Sequence, residues 1–302
     1  MPRDFLHYDV FTSEPLKGNQ LAVFLDGRGL DDGSMQALAR EMNFSESTFI
    51  FPPESPDTDV RMRIFTPGAE LPMAGHPTIG STFALADSGK IQPGAERFVF
   101  GLGVGPIPVS LEWKGDRLHF AWMTQLNPTF GKCVSDIDVV ASALGVRPDE
   151  IASELPIQEI SCGVPFLFVP MISREAVDRA VSETGPLRRM GERIGTNRPL
   201  FLFTTAPGNP EGTVYSRMFA PHFDAGIPED PATGGASGPL GCYLVHYGLV
   251  SGNAAQHILS LQGYAMGRPS QIHIRITGTR EQITSVEVGG QSVLVARGTL
   301  VV

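Results

Sequence analysis

The chain has 302 residues, of which 42% are hydrophobic and 18% are charged, and its formal net charge is −9. This length exceeds one ordinary core and predicts about two globular domains, and the composition excludes a disordered chain. The acidic balance argues against binding to nucleic acid or to an anionic membrane surface, and no stretch approaches the ~18 apolar residues of a membrane span.

Short alternating segments predict many strands along the chain. In the first half they are Phe5–Phe11, Leu21–Leu25, Thr48–Phe51, Val60–Phe65, Phe98–Leu102, Ile107–Leu111 and Leu118–Trp122. In the second half they are Gln158–Ser161, Phe166–Val169, Leu200–Thr205, Val214–Phe219, Ile258–Gln262, Ile272–Thr277 and Thr284–Val288. Amphipathic helices fit Asp32–Met42, Asp136–Leu144 and Arg174–Glu183. The last segment, Ser292–Val302, is typical of two strands or one bent strand.

One segment of the chain occurs twice. Residues 70–89 read E-L-P-M-A-G-H-P-T-I-G-S-T-F-A-L-A-D-S-G, and residues 229–248 read E-D-P-A-T-G-G-A-S-G-P-L-G-C-Y-L-V-H-Y-G. The two align without a gap at a constant offset of 159 residues. Upstream, R-I-F-T-P (63–67) corresponds to R-M-F-A-P (217–221). A repeat about half the chain apart indicates two homologous domains rather than a solenoid of short units.

Each copy predicts a buried helix that is rich in small and apolar residues. In the first copy, Pro77 suits the first turn and Gly89 suits the residue just past the end. In the second copy, Pro239 would break a helix that began at Thr233. We therefore expect that helix to begin near Ala236–Gly238 and expect Gly234 and Gly235 to form a turn.

These patterns predict an α+β fold of two homologous domains. The expected boundaries are residues 1–127 and 128–291, and the strand 292–302 can return to complete the first domain. The segment 127–131, with Pro128, is the predicted crossover.

Residues that are polar in only one copy are better candidates for chemistry than the residues that both copies share. His76 stands where the second copy has Gly235, and Asp230 stands where the first copy has Leu71. A pseudo-twofold axis between the domains would bring both to an interdomain cleft, a common place for a ligand. The alternatives are a helix N-cap for His76 and an Asx-turn for Asp230. Glycines 75, 234 and 235 would offer backbone N–H groups to an anion, or serve only as tight turns.

Glu46 lies in the segment A-R-E-M-N-F-S-E-S-T-F-I (39–50), where a predicted helix gives way to a strand. By sequence alone it is either a solvated loop carboxylate or a general base.

The three cysteines, Cys133, Cys162 and Cys242, form no CxxC pair, which indicates reduced thiols and a cytoplasmic location. Cys242 and His246 stand at i and i+4 and could form a metal pair. Because no further ligand lies at suitable spacing, we favour core packing for Cys242. Without a metal cluster, nucleotide fingerprint or flavin motif, we expect neither metal nor organic cofactor.

Six segments together resemble the PhzF-like phenazine biosynthesis family, in the same order over nearly the whole chain. They are G-N-Q-L-A-V-F (18–24), A-R-E-M-N-F-S-E-S-T-F (39–49), R-I-F-T-P (63–67), A-G-H-P-T-I-G (74–80), E-D-P-A-T-G-G-A-S-G-P-L (229–240) and G-R-P-S (267–270). The resemblance implies the diaminopimelate epimerase-like fold, in which each domain is a barrel-like sheet around a central helix. It also implies a homodimer.

The resemblance also implies roles for individual residues. It gives proton transfer to Glu46, and it gives substrate holding and assistance with proton movement to His76 and Asp230. The candidate substrate-binding residues are Asn19, Ser45, Gly75, Thr233, Gly234 and Gly235. Racemases of this fold carry a cysteine before the glycine of each turn, and here those positions are Ala74 and Thr233. Two-base cysteine chemistry is therefore excluded. The phenazine enzyme has a serine where this chain has Gly235, which leaves the substrate open.

The expected function is a cofactor-independent isomerase that moves a proton on a small cyclic or amino carboxylate. In the phenazine enzyme the substrate is a dihydro-hydroxyanthranilate. Two alternatives remain: an isomerase or epimerase of another small carboxylate, and a binding protein without catalysis. Only an enzyme needs Glu46, His76 and Asp230 together.

Overall fold

The computed structural model describes residues 2–220 and 227–301, and the chain divides into two compact units. The first comprises Met1–Gln125 with Glu287–Val302, and the second comprises Leu126–Val286. The described strands are β1 (Pro2–Val10), β2 (Asn19–Phe24), β3 (Glu46–Phe51), β4 (Val60–Phe65), β5 (Glu70–Leu71), β6 (Arg97–Leu102), β7 (Gly105–Lys114), β8 (Arg117–Thr124), β9 (Thr129–Val134), β10 (Ile157–Ser161), β11 (Pro165–Pro170), β12 (Leu200–Thr204), β13 (Val214–Phe219), β14 (Glu229–Asp230), β15 (Ile258–Gln262), β16 (Ser270–Gly278), β17 (Ile283–Gly290) and β18 (Ser292–Val301). The described α-helices are α1 (Asp32–Met42), α2 (Gly75–Asp87), α3 (Ile137–Leu144), α4 (Arg174–Arg179), α5 (Thr184–Ile194) and α6 (Gly234–His246).

The first unit wraps its strands around α2. Antiparallel pairs join β1 to β2, β3 to β4, and β6 to β7 and then to β8. Parallel pairs join β2 to β3 and β4 to β6. Strand β18 runs antiparallel to β1, with one irregularity at His7/Tyr8. Helix α2 contacts β1, β2, β3, β8 and β18, so it forms the centre of this unit.

The second unit repeats this order around α6. Antiparallel pairs join β10 to β11, β12 to β13, and β15 to β16. Parallel pairs join β11 to β12 and β13 to β15. Helix α6 contacts β10, β11 and β16. The prediction of an α+β fold with a central helix in each domain is confirmed.

The two central helices have the same length and begin 159 residues apart, as the sequence repeat requires. Both are buried over almost their entire length, which agrees with their apolar composition. Glycines allow this close packing. A Cβ on Gly80 would lie 2.6 Å from a methyl carbon of Leu21, and one on Gly241 would lie 2.6 Å from Ile274. Pro77 lies in the first turn of α2, and Gly89, with φ +72°, follows its end as predicted.

The predicted start of the second helix was wrong. Helix α6 begins at Gly234 and contains Pro239 in its interior, so Gly234 and Gly235 belong to its first turn. Proline removes a single backbone donor, the one that would have reached the carbonyl of Gly235. The packing around a fully buried helix outweighs that loss, as tertiary context commonly outweighs propensity.

The repeated arginine and glutamate have a structural role in both units. Arg63 makes a two-pronged contact with Glu70, at 2.7 and 2.6 Å. Arg217 makes the same contact with Glu229, at 2.8 and 2.9 Å. Each pair fastens a two-residue strand to the longer strand beside it. Because both copies need this fastening, both keep these residues.

Other parts of the chain depart from the predictions. The helix expected over Arg174–Glu183 ends at Arg179, and α5 was not predicted. The predicted crossover 127–131 includes the first three residues of β9. The last segment is one strand, Ser292–Val301. Pro221, in the second R-x-F-x-P segment, lies outside the described residues. Among the helices of the described ranges, none combines the length and hydropathy that crossing a membrane requires.

Candidate functional site

The first unit brings Asn19, Glu46 and His76 together at the N-terminal end of α2. Asn19 is the first residue of β2 and Glu46 is the first residue of β3, and these strands pair in parallel. Side chains alternate along a strand, so Glu46 shares a face with Thr48. The hydroxyl of Thr48 lies 2.9 Å from that of Ser81 on α2. That face therefore looks onto α2, and Glu46 lies at the start of the helix.

His76 joins this group from the second position of α2, which excludes the N-cap role because the cap is Ala74. Its Nε2 lies 3.1 Å from Oε2 of Glu46. Its Nδ1 lies 3.0 Å from Nδ2 of Asn19. Glu46 is 7% exposed and His76 is 2% exposed, so the reading of Glu46 as a solvated loop carboxylate is wrong. Ser45 occupies the bend before β3 and is partly exposed.

Burial decides the charge of His76. Removal from water penalises the imidazolium and lowers the pKa of His76 to about 3, and a hydrogen bond with the backbone of Gln20 opposes this only in part. The imidazole is therefore neutral at neutral pH. A neutral ring has one N–H group and one lone pair, so it can donate to one neighbour while accepting from another.

The second unit places Asp230 and Thr233 at the corresponding end of α6. Asp230 closes the short strand β14, and Thr233 is the N-cap of α6. The hydroxyl of Thr233 donates to Oδ2 of Asp230 at 2.6 Å. Both residues are buried, with exposed fractions of 7% for Thr233 and 5% for Asp230. The carboxyl group of Asp230 is thus held by a neighbouring hydroxyl.

Gln262 supports this pair, and the sequence did not single it out. Its Oε1 accepts from the backbone N–H of Thr233 at 3.0 Å, and its Nε2 donates to the hydroxyl of Thr233 at 2.9 Å. Nε2 also donates to the backbone carbonyl of Asp230 at 2.8 Å. The signal that could have revealed it is a polar amide at the end of a short, mainly apolar strand, I-L-S-L-Q.

Neither central helix has a side-chain cap at its N-terminus. Ala74 has no polar side chain, and the hydroxyl of Thr233 is directed to Asp230 instead of the helix. The N-terminal end of a helix carries partial positive charge and favours an anion. Gly235, at the second position of α6, also has room around it, since a Cβ there would meet nothing closer than the Phe166 ring at 4.0 Å.

The cysteines do not supply an alternative site. Cys242 is fully buried and its Sγ lies 3.9 Å from Sγ of Cys162, while Nδ1 of His246 lies 2.9 Å from the backbone carbonyl of Arg280. The metal pair considered for Cys242 and His246 is therefore wrong, and core packing is the correct interpretation. Contact with Cys162 and burial raise the pKa of the Cys242 thiol, which makes it a poor nucleophile.

Comparisons with known proteins agree with this arrangement. The family model of phenazine biosynthesis-like proteins, PhzC-PhzF, matches residues 8–298. An uncharacterised isomerase of Mesorhizobium japonicum is 38% identical over 99% of this chain and 98% of its own length. The trans-2,3-dihydro-3-hydroxyanthranilate isomerase of Pseudomonas aeruginosa is 36% identical over 96% of each chain.

Solved structures give the same result. A PhzF-family phenazine biosynthesis protein of Bacillus anthracis superposes with a TM-score of 0.88 at 25% identity, over 100% of both chains. A hydroxyproline epimerase of Agrobacterium vitis superposes with a TM-score of 0.70 at 13% identity, over 99% of this chain and 92% of its own, and so shares the fold. The matched family model, the relatives and the carboxylate–imidazole pair lead to one conclusion: the chain belongs to the PhzC-PhzF family of phenazine biosynthesis-like proteins and is an isomerase.

Proposed function

We propose that the chain is a cofactor-independent isomerase that moves a proton on a small cyclic carboxylate, of the trans-2,3-dihydro-3-hydroxyanthranilate type. The observation that carries the proposal is the buried contact of 3.1 Å between Glu46 and His76. A carboxylate beside a neutral imidazole can take a proton from carbon and return it to another carbon of the same molecule. One C–H bond breaks and another forms, so the step needs no oxidant or reductant.

Each residue has a distinct task in this proposal. Nδ1 of His76 lies 3.0 Å from the amide nitrogen of Asn19, and Nε2 lies 3.1 Å from Oε2 of Glu46, so the imidazole stands between the amide and the carboxyl group. The imidazole of His76 assists proton movement beside Glu46 and stabilises the charge that develops on the substrate. The first turn of a central helix, at Gly75 or at Gly234–Gly235, is the proposed binding position for the substrate carboxylate. Asp230, which has no acidic counterpart in the first repeat, is assigned substrate holding and assistance with proton movement.

Replacement of Glu46 by Gln tests the proposal. Purified Glu46→Gln is incubated with trans-2,3-dihydro-3-hydroxyanthranilate in D₂O, and proton NMR follows product formation and deuterium uptake. The control is Glu41→Gln, which changes an exposed glutamate on α1. We expect Glu46→Gln to lower kcat by ~10²–10⁴ while binding is largely kept, because amide oxygen is not a base. Normal turnover by Glu46→Gln would refute the mechanism and make Asp230 the next candidate base.

A second candidate is an isomerase or epimerase of another small carboxylate, and the open space at Gly235 favours it. Where a serine would contribute a hydroxyl, this chain offers room for a larger substrate. If this candidate is correct, Gly235→Ser should raise kcat/KM for trans-2,3-dihydro-3-hydroxyanthranilate. A fall in kcat/KM would instead favour this compound, or one of the same size, as the natural substrate.

A further inference from the structure

Gln262 is the last residue of β15, is fully buried, and makes all three of its side-chain hydrogen bonds to Asp230 and Thr233. A buried primary amide is costly unless its donors and its acceptor are satisfied. Here the partners are the backbone N–H and hydroxyl of Thr233 and the backbone carbonyl of Asp230. The amide is therefore matched to this one segment of the second unit.

The first unit shows that the fold does not require an amide at this position. Residue 101 pairs in parallel with Arg61 on β4, and residue 261 pairs in parallel with Tyr215 on β13. The residues that follow them, Leu102 and Gln262, are thus equivalent. The next residues, Gly103 and Gly263, confirm this equivalence. A Cβ built on Gly103 would lie within 3.0 Å of Pro72, and one built on Gly263 would lie within 3.0 Å of Pro231, the corresponding proline.

Leu102 is 5% exposed and fills the position with an apolar side chain. A leucine is therefore sufficient to pack this position of the fold. The amide occurs at the same position only in the unit that contains Asp230.

The hydrogen bonds set the direction of one hydroxyl group. Because Oγ1 of Thr233 accepts from Nε2 of Gln262, the single hydroxyl proton of Thr233 is free to point at Asp230, where the distance is 2.6 Å. The bond from the N–H of Thr233 to Oε1 fixes the N-cap of α6 at the same time. We infer that Gln262 is a positioning residue that holds the Thr233 hydroxyl on the carboxyl group of Asp230 for the isomerisation. This inference rests on the proposed function.

The test compares Gln262→Leu with Gln158→Leu. Leucine is the residue that the first unit uses, so Gln262→Leu is expected to fold. Gln158 is a matched control because it is a buried glutamine of the same unit, 7% exposed, that bonds to the carbonyl of Gly131 and the hydroxyl of Tyr247. With trans-2,3-dihydro-3-hydroxyanthranilate, we expect Gln262→Leu to lower kcat about 10- to 100-fold, with a smaller change in KM. Gln158→Leu should change kcat less than about twofold.

A double-mutant cycle with Thr233→Val separates positioning from general weakening of the fold. If Gln262 acts through the Thr233 hydroxyl, Gln262→Leu should lower kcat less than about twofold further in the Thr233→Val background. Independent, multiplicative losses of kcat would overturn the inference.

A measurement without substrate distinguishes failure of this inference from failure of the proposed function. Amide hydrogen exchange at Thr233 should accelerate at least about tenfold in Gln262→Leu and stay unchanged in Gln158→Leu, because only the former loses the acceptor of that N–H. Unchanged exchange at Thr233 would overturn the inference even if the wild-type chain turns the compound over. Absence of wild-type turnover would refute the proposed function, and the exchange rates would still decide whether Gln262 holds Thr233.

Discussion

At the scale of single residues, the neutrality of His76 links burial to chemistry. An imidazolium beside Glu46 would lock the carboxylate in an ion pair, whereas a neutral ring leaves it able to act as a base. The charge of His76 cannot be predicted from the sequence, because it depends on the exclusion of water, which no local pattern reveals. The same limit hid Gln262, whose partners lie about 30 residues away in the chain.

The depressed pKa of His76 makes a prediction for stability. The pKa of His76 is about 3 in the folded chain, whereas the pKa of a histidine in an unfolded chain is about 6.5. Between these two pH values, His76 is protonated only when the chain unfolds. The stabilising effect is present above about pH 6.5 and is lost as the pH falls toward 3. When the pH falls from 6.5 to 5, the free energy of unfolding of the wild-type protein should decrease by about 1.5 kcal/mol more than that of His76→Asn.

Urea unfolding at both pH values measures this difference. His257→Asn is the control, since it replaces an exposed histidine instead of the buried one. An equal loss of stability in wild type and His76→Asn would show that His76 is not held neutral by the fold.

His76 and Asp230 are also expected to affect both binding and rate. His76→Ala removes the imidazole beside Glu46, and Asp230→Asn replaces the carboxylate that accepts from the Thr233 hydroxyl with a neutral amide. Each variant should raise KM and lower kcat, in contrast to Glu46→Gln, which should act mainly on kcat. Steady-state kinetics with trans-2,3-dihydro-3-hydroxyanthranilate separates the two patterns, and a change in KM alone would assign these residues to binding only.

At the scale of elements, the regular parts of the fold followed from sequence and the exceptions have physical causes. Helix α1 was predicted with its observed bounds because Asp31 caps it and Asn43 ends it in the left-handed region. Helix α5 was missed because Gly185, Pro186 and Gly191 weaken its propensity. It folds because Leu187, Met190 and Ile194 bury one face. The start of α6 was misplaced for the related reason that propensity rules do not include tertiary packing.

The glycines of the two central helices allow a matched test of packing. Gly80→Ala places a Cβ within 2.7 Å of both Leu21 and Val10, so it should destabilise the protein by about 1–3 kcal/mol. Gly235→Ala places a Cβ no closer than 4.0 Å to any neighbour, the Phe166 ring, and should change stability by less than about 0.5 kcal/mol. Equal midpoints of urea unfolding for the two variants would contradict this account of helix packing.

The two arginine–glutamate pairs should differ in their contribution to stability. Arg217 is 8% exposed and also donates to the backbone carbonyls of Val177, Asp178 and Ala180. Loss of this cation leaves a partly buried Glu229 and three carbonyls without their donor, so Arg217→Gln should cost about 3–5 kcal/mol. Arg63 faces carboxylates of Glu70 and Asp32 that are far more exposed, so Arg63→Gln should cost about 1 kcal/mol or less. Chemical denaturation of both variants measures which one loses more stability. A larger loss in Arg63→Gln than in Arg217→Gln would contradict this prediction.

At the scale of the whole molecule, the repeat was the most informative feature of the sequence. It predicted two similar units, and the equal lengths of α2 and α6 and their shared register confirm that similarity. The pattern of strand and helix segments predicted the α+β class, but the return of β18 to β1 could be stated only as a possibility, because pairing across the length of the chain leaves no local pattern.

Homodimer formation remains a prediction from the family. Light scattering at micromolar concentration should give twice the 32.5 kDa mass of one chain. A mass near 32.5 kDa would show a monomer under these conditions.

The pairing of β1 with β18 has a consequence for biosynthesis on the ribosome. Residue 2 pairs with residue 301, so one edge of β1 has no partner until β18 has been translated. The second unit is continuous from Leu126 to Val286 and can fold before then. Strand β1 is therefore translated before the second unit and completed after it, and in the interval its open edge is exposed to pairing with other strands.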